Sequence, residues 1–254
     1  MNNLTLDKIK YFCKMNTIVY MEEEGILRSY DGDEKITELK FMKNDNSGAQ
    51  CICCLYDKNT IVVCFRGSDQ VIDWINNFKA FQVELPSLND RNVLIHDGFY
   101  DTYVGVKNDI IDYVKEQLEQ NPDIENILCT GHSAGGAQSE LCLMELATLY
   151  PGKNFSSLTF GSPRTGNKQF SQCFKTKCNE IYHFVNGHDP VPHLPTSLRF
   201  KNTDSRYYIN RQNKIKKKDF IFWCVCTDLT KQSIDEHHPG EYVRAINNIE
   251  TFIN

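Results

Sequence analysis

The pentapeptide Gly131-His132-Ser133-Ala134-Gly135 constrains the fold of this chain more than any other segment. It follows a short apolar segment, 126–130, and leads into a segment with helical spacing, 133–150. When a Gly-x-Ser-x-Gly motif joins a strand to a helix, the serine lies on a sharp, strained turn, with helix N–H groups beside it. The alternative is a glycine-rich helix start that is merely capped by a serine. The context predicts a strand–turn–helix unit that presents Ser133 as a nucleophile.

Short β-rich segments alternate with helical segments through the middle of the chain. Strands are predicted at 51–56, 60–65, 126–130, 158–160 and 181–185, with a late hairpin or two strands at 207–209 and 220–226. Helices are predicted at 4–24, 99–119, 133–150 and 239–253. This alternation predicts an α/β fold with a mostly parallel central sheet and helices on both faces. In such sheets the functional residues lie at the carboxyl ends of the strands.

Composition limits the domain organisation and the classes of partner. No linker and no internal repeat interrupts the 254 residues, so we predict one domain over 1–254. The formal net charge of −5 argues against a non-specific nucleic-acid binder. No Cys/His spacing matches a zinc site. We therefore expect no nucleic-acid partner, no metal and no cofactor.

The cysteines and the N-terminal segment bear on the compartment. Most of the eleven cysteines lie in apolar runs, which predicts buried, reduced thiols rather than a disulfide framework. Cys173 and Cys178 form the pair for which a disulfide is hardest to exclude. The first residues lack the pattern of a secretory signal, and no apolar run approaches the roughly 20 residues that span a bilayer. We therefore expect a cytoplasmic protein.

A nucleophilic serine needs a base and an acid that orients the base. Where the serine lies on a strand–turn–helix unit, the chain order is Ser, then Asp or Glu, then His. Asp189 follows a predicted strand, although an Asp-Pro pair also begins ordinary turns. Of the later histidines, His193 follows Asp189 too closely to lie on the next loop. We expect His237 or His238, just before the last predicted helix, to accept the proton of Ser133.

Several motifs, in order, resemble those of the class 3 lipases, a fungal-lipase-like family of α/β-hydrolases. They are Phe65-Arg66-Gly67-Ser68 with Asp73-Trp74 and Asn77, His96-Asp97-Gly98-Phe99 with Tyr103, the serine motif continued by Gly136-Ala137, the segment 159–167, and Asp189-Pro190-Val191-Pro192 with Leu194-Pro195. The resemblance covers roughly residues 50–245. It implies the α/β-hydrolase fold and a carboxylic ester hydrolase, of the triacylglycerol lipase or esterase type, with an acyl-lipid substrate.

The resemblance also implies the roles of individual residues. It makes Ser133, Asp189 and His237 a catalytic triad. It favours His237 over His238, which stays the alternative base, because Tyr242 follows His237 by five positions, a spacing similar to that of the family.

The resemblance further places Ser68 and Ala134 at the oxyanion hole. For Ala134 the general chemistry agrees, because the N–H of the residue after the nucleophile points at the developing oxyanion.

Two surface segments are candidates for contact with lipid. In the family, the segment that corresponds to residues 69–89 often forms a lid. Its apolar spacing predicts an amphipathic helix, 72–81, and then an extended stretch to Pro86. A mobile lid and an ordinary packed helix both fit, and the lid would give transient contact with a membrane or lipid-droplet surface. The basic segment 211–218 is interpreted as a solvated hairpin turn rather than a contact with anionic lipid.

Three functions remain open. The leading hypothesis is a serine hydrolase that cleaves acylglycerol or phospholipid esters through an acyl-enzyme on Ser133. A catalytically silent lipase-like module that binds a partner or a lipid is disfavoured, because all three triad residues occur in context. An acyltransferase would use the same triad, with another alcohol in place of water.

Overall fold

The computed structural model describes residues 4–68, 81–195, 198–204, 206–218 and 231–252. Its strands are β1 (Ile36–Asn44), β2 (Ala49–Tyr56), β3 (Thr60–Phe65), β4 (Gln82–Glu84), β5 (Leu94–His96), β6 (Asn126–His132), β7 (Asn154–Phe160), β8 (Glu180–Asn186), β9 (Arg206–Ile209) and β10 (Ile215–Lys218). Within these ranges, one eight-stranded sheet runs in the order β1-β2-β3-β6-β7-β8-β9-β10, and β4 pairs with β5 separately. The neighbours from β3 to β9 are parallel, and the pairs at both edges are antiparallel. The prediction of a mostly parallel sheet is confirmed.

Helices cover both faces of the sheet, as predicted. They are α1 (Leu6–Ile18), α2 (Glu23–Ser29), α3 (Asp97–Gln120), α4 (Ala134–Leu149), α5 (Lys168–Lys177), α6 (Lys231–Asp235) and α7 (Pro239–Asn247). Apolar side chains of α3, α4 and α5 form one core, and those of α1, α2 and α7 form another. Central strands supply both cores: Ile61 and Val63 of β3 face the first, and Val62 and Cys64 face the second. This double burial explains why the central strands are continuous apolar runs.

The structure differs from the predicted elements mainly at the edges. The strand β1 was not predicted, because an edge strand with one solvated face carries many polar residues, and most of its positions are half-buried or exposed. The predicted helix 4–24 is two helices, α1 and α2, and the last helix ends at Asn247 rather than 253. The hairpin partner of β9 is β10, and the predicted strand 220–226 lies outside the described residues.

The short helix α5 was missed although its sequence carries a start signal. The side chain of Asn167 accepts a hydrogen bond from Phe170 N–H, at 2.9 Å, and so caps the helix. Phe170 and Phe174 lie one turn apart and pack into the core. The Asn cap and the spacing of the two aromatic residues are the signals that could have pointed to this helix.

The cysteines that the structure describes are free thiols, and all but Cys173 are buried. Cys178 is among them, so the pair that was hardest to exclude is not bridged. In the same described ranges, every helix is too short or too polar to cross a membrane.

A buried polar network joins the helix α4 to the strands that lead to the site. Thr165 and Thr203 donate hydrogen bonds from their hydroxyls to the carboxylate of Glu140, at 2.6 and 2.9 Å. Because Thr203 uses its own proton in this way, it accepts from His183 Nε2, at 2.7 Å, and His183 Nδ1 in turn accepts from the Thr159 hydroxyl, at 2.5 Å. Burial lowers the pKa of His183 to about 3, which keeps the ring neutral.

Glu140 should make stability depend on pH. Burial raises its pKa from 4.5 to about 7, against the opposing hydrogen bonds of Thr165 and Thr203. A raised folded-state pKa gives stability that is complete below the unfolded pKa and is lost as the pH rises through the folded pKa. We expect the wild-type protein to lose a few kcal/mol relative to Glu140→Gln between about pH 5 and pH 8. Urea unfolding followed by circular dichroism at several pH values measures this difference, and a constant difference would contradict the expectation.

Candidate active site

Ser133 lies on the turn between β6 and α4, with φ 57° and ψ −134°. Glycines allow this turn because the strand and the helix nearly touch. A Cβ at Gly131 would lie 2.2 Å from the carbonyl oxygen of Gly135, and a Cβ at Gly135 would lie 2.4 Å from the carbonyl oxygen of Phe65. The backbone N–H of Ser133 donates to Phe160 O in the neighbouring strand β7, at 3.0 Å, and ties the turn to the sheet.

The structure brings Ser133, His237 and Asp189 into one hydrogen-bonded row. His237 Nε2 lies 2.8 Å from Ser133 Oγ, and His237 Nδ1 lies 2.8 Å from Asp189 Oδ2. All three side chains are buried. An ionised carboxylate only accepts hydrogen bonds, so Nδ1 carries the proton and Nε2 accepts from the serine hydroxyl. This is the arrangement in which a histidine can remove a serine proton.

The two other histidines considered from the sequence lie elsewhere. The ring of His238 is exposed and caps α7, where its Nδ1 accepts a hydrogen bond from Gly240 N–H, at 3.1 Å. His193 lies in the short 3-10 helix Val191–His193, beyond Asp189. Neither is in the row that contains Ser133.

Asp189 follows β8 and is fully buried. Its Oδ1 accepts from the N–H of Val191, at 2.9 Å, and its Oδ2 accepts from the hydroxyl of Tyr242, at 2.6 Å. The Tyr242 hydroxyl also accepts from Asn186 N–H, at 3.1 Å. Burial and the nearby Asp189 carboxylate raise the pKa of Tyr242 well above its usual value, so it remains a donor. From the sequence, Tyr242 served only as a spacing marker, and its contact with Asp189 was missed.

The two residues expected at the oxyanion hole line one pocket of about 320 Å³ beside Ser133. Ala134 is the first residue of α4, and Ser68 follows the end of β3. The backbone just before Ser68 passes close to Ser133: a Cβ at Gly67 would lie 2.6 Å from His132 O and 3.0 Å from Ser133 Cβ. Ser68 and Ala134 therefore line the same pocket, and Gly67, the residue before Ser68, packs against Ser133.

A second hydrogen-bonded chain runs behind the row and was missed from the sequence. His132 Nε2 lies 2.7 Å from the carbonyl oxygen of His237 and must donate to it, so Nδ1 accepts from the Tyr20 hydroxyl, at 2.9 Å. The backbone of Gly67 packs against the same hydroxyl, since a Cβ at Gly67 would lie 2.4 Å from it. Burial, and then the nearby His237, lower the pKa of His132 well below its usual value, which keeps the ring neutral. Tyr20 thus links the loop of Ser68 to the loop of the base.

Comparison with known proteins gives a consistent family. A model of the family described as "Lipase (class 3)" matches residues 62–198. A lipase of Rhizomucor miehei is 33% identical over 60% of this chain and 42% of its own length. The secreted mono- and diacylglycerol lipase A of Penicillium cyclopium is 30% identical over 80% of this chain and 63% of its own length. The chain therefore spans less than two thirds of the length of these relatives.

A solved structure has the same fold. The triacylglyceride lipase of Rhizomucor miehei superposes with a TM-score of 0.77 at 23% identity, over 91% of this chain and 92% of that chain. The predicted α/β-hydrolase fold is confirmed.

The expectation of a cytoplasmic protein is wrong. Relatives that match most of this chain are secreted lipases. Free cysteines are compatible with secretion when they are buried. Thiols react as thiolates, and burial raises the pKa of Cys54 to about 12, so such a thiol stays inert even in an oxidising medium.

Removal of the Tyr20 hydroxyl should slow the reaction of Ser133. We expect Tyr20→Phe to lower the rate of Ser133 labelling by a fluorophosphonate about fivefold, because a lost hydrogen bond is worth about 1 kcal/mol. Tyr11→Phe is the matched control, because Tyr11 lies on α1 and donates a 2.7 Å hydrogen bond to Asp33, away from the site. Equal labelling rates in the two variants would argue against a role for the Tyr20 contact.

Proposed function

The chain belongs to the class 3 lipase family, and we propose that it hydrolyses carboxylic esters of acyl lipids through an acyl-enzyme on Ser133. The observation that carries this proposal is the bridging position of His237, 2.8 Å from both Ser133 Oγ and Asp189 Oδ2. A base held on both sides in this way can take a proton from the serine and later return it.

The proposed reaction has two halves. Ser133 Oγ attacks the ester carbonyl while His237 Nε2 takes its proton, and the carbonyl oxygen becomes an oxyanion that accepts from the N–H groups of Ser68 and Ala134. The carbon–oxygen bond to the alcohol then breaks, and the alcohol leaves with the proton from His237. In the second half a water molecule gives a proton to His237 and attacks the acyl-enzyme. The acid departs as Ser133 recovers its proton.

The names of the relatives support acylglycerols as the substrate class, because they include a triacylglyceride lipase and a mono- and diacylglycerol lipase. Phospholipid esters belong to the same proposal, since the chemistry at the carbonyl carbon is identical.

We infer that lipid contacts the protein through residues 69–89. Of these, 69–80 lie outside the described residues, so the predicted helix 72–81 and the lid are not described. The remainder begins at Phe81, whose side chain is 63% exposed, and continues into the short strand β4. Gln82 donates a hydrogen bond to Arg199 O, at 3.2 Å, next to Leu198, which is 91% exposed. Two exposed apolar side chains on adjoining segments support an apolar contact here.

The test of the proposed function is hydrolysis of p-nitrophenyl esters from acetate to palmitate. We expect the rate of the wild-type protein to rise with chain length, and Ser133→Ala and His237→Ala each to lose about 10⁴-fold or more in kcat, because the triad acts as a unit. EDTA should leave the rate unchanged, since no proposed step uses a metal. Failure of both turnover and Ser133 labelling would favour the silent binding module. Transfer of the acyl group to an added alcohol in preference to water would favour the acyltransferase.

His238 provides a matched control for the base. We expect His238→Ala to retain full kcat and to lose about 1 kcal/mol of stability, because its ring only caps α7. The kinetic and unfolding measurements on His237→Ala and His238→Ala check this. An active His237→Ala beside an inactive His238→Ala would reverse the assignment of the base.

A further inference from the structure

A second acid–histidine pair lies beside the first. In it the acid comes from the loop that carries His237, and the histidine comes from the loop that carries Asp189. Glu236 precedes His237, and His188 precedes Asp189. The carboxylate of Glu236 accepts a hydrogen bond from the backbone N–H of His188, and its Oε2 lies 3.8 Å from His188 Nδ1. We propose that Glu236 is a positioning residue that holds the loop of the base against the loop of the acid. This inference rests on the proposed function, in which His237 is the base.

The backbone around Glu236 supports the same role. Asn186 Nδ2 donates to the carbonyl oxygen of Glu236, at 2.9 Å. The main chain of Glu236 is therefore bonded to the end of β8, and its side chain is bonded to the loop that follows β8. Gly187 has a φ of +50°, and a Cβ there would lie 2.4 Å from Glu236 Oε2. A glycine at this position is what lets the carboxylate reach the loop.

Arg211 completes the contact from the turn between β9 and β10. Its Nη2 lies 3.7 Å from Glu236 Oε1 and 3.4 Å from His188 Nδ1. The Arg211 side chain is 62% exposed, whereas that of Glu236 is 15% exposed. Exposed ion pairs contribute little to stability, and a charge-assisted hydrogen bond from a backbone N–H to a partly buried carboxylate contributes more. The bond to the N–H of His188 therefore dominates.

The effect on the reaction follows from the geometry of His237. Its ring must make two 2.8 Å contacts at once, one on each side, and Glu236 is its immediate neighbour in the chain. A displacement of about 1 Å in a reacting group can lower a rate by about 100-fold. Glu236 touches neither the substrate nor the reacting atoms, so its loss should lower kcat without weakening substrate binding.

The test compares Glu236→Gln with Glu236→Leu. The amide oxygen of Gln still accepts from the N–H of His188, whereas Leu keeps the approximate volume and loses the acceptor. We expect Glu236→Leu to lose about 10- to 100-fold in kcat on a p-nitrophenyl ester, with KM unchanged, and Glu236→Gln to stay within about threefold of the wild-type protein. Fluorophosphonate labelling of Ser133 should slow in the same ratio.

Glu241→Leu is the matched control, because Glu241 is ion-paired with Arg244 within α7 and does not join the two loops. It should keep the wild-type kcat. If Glu236→Leu does not fold, Glu236→Asp, whose shorter side chain cannot reach the N–H of His188, serves in its place and should lose kcat likewise.

Three results would overturn the proposal: equal losses in the Gln and Leu variants, an unchanged kcat in Glu236→Leu, or an effect on KM alone. Turnover by the wild-type protein tests the proposed function separately. The labelling ratio tests positioning without any ester substrate, so the two failures are distinguishable.

Discussion

The close approach of β6 and α4 at Ser133 is the constraint on which the rest of the site depends. Because Gly131 and Gly135 flank Ser133, the backbone oxygens of Gly135 and Phe65 lie where side chains would otherwise stand. The strained turn lifts Ser133 Oγ above the carboxyl ends of the parallel strands. It also places the N–H of Ala134 beside the same carbonyl group that Ser133 would attack. In the proposed reaction, the nucleophile Ser133 and the oxyanion donor Ala134 are neighbours in sequence because one turn positions both.

The acid and the base depend on longer-range contacts, because each comes from its own loop. Asp189 is held by Tyr242 on one oxygen and by the N–H of Val191 on the other. His237 is held by its two ring contacts and, through its carbonyl oxygen, by His132. A buried carboxylate without such donors would be costly, so the polar contacts are as necessary to the fold as to the chemistry.

These differences explain what the sequence could and could not predict. Central strands and the turn at Ser133 follow from local patterns, because strands buried on both faces are apolar runs and the turn requires glycines. The edge strand β1 has no such pattern. Tyr20 and Glu236 carry no local signal at all, since their roles arise only when distant segments meet. The choice of His237 over His238 came from a spacing typical of the family. The assignment of Ser133, Asp189 and His237 as catalytic stays a prediction. The expectation of one domain over 1–254 also stays a prediction.

The neutrality of His132 is what allows the site to work as a connected unit. With Nε2 donating to His237 O, only a neutral ring leaves Nδ1 free to accept from Tyr20. A protonated His132 could no longer accept from the Tyr20 hydroxyl and would place a positive charge beside His237, whose ring centroid is 4.7 Å away. In the proposed reaction, that charge would oppose the transfer of the Ser133 proton to His237. Burial of His132, which lowers its pKa, therefore keeps the hydrogen bond from Tyr20 and keeps a second positive charge away from the proposed base.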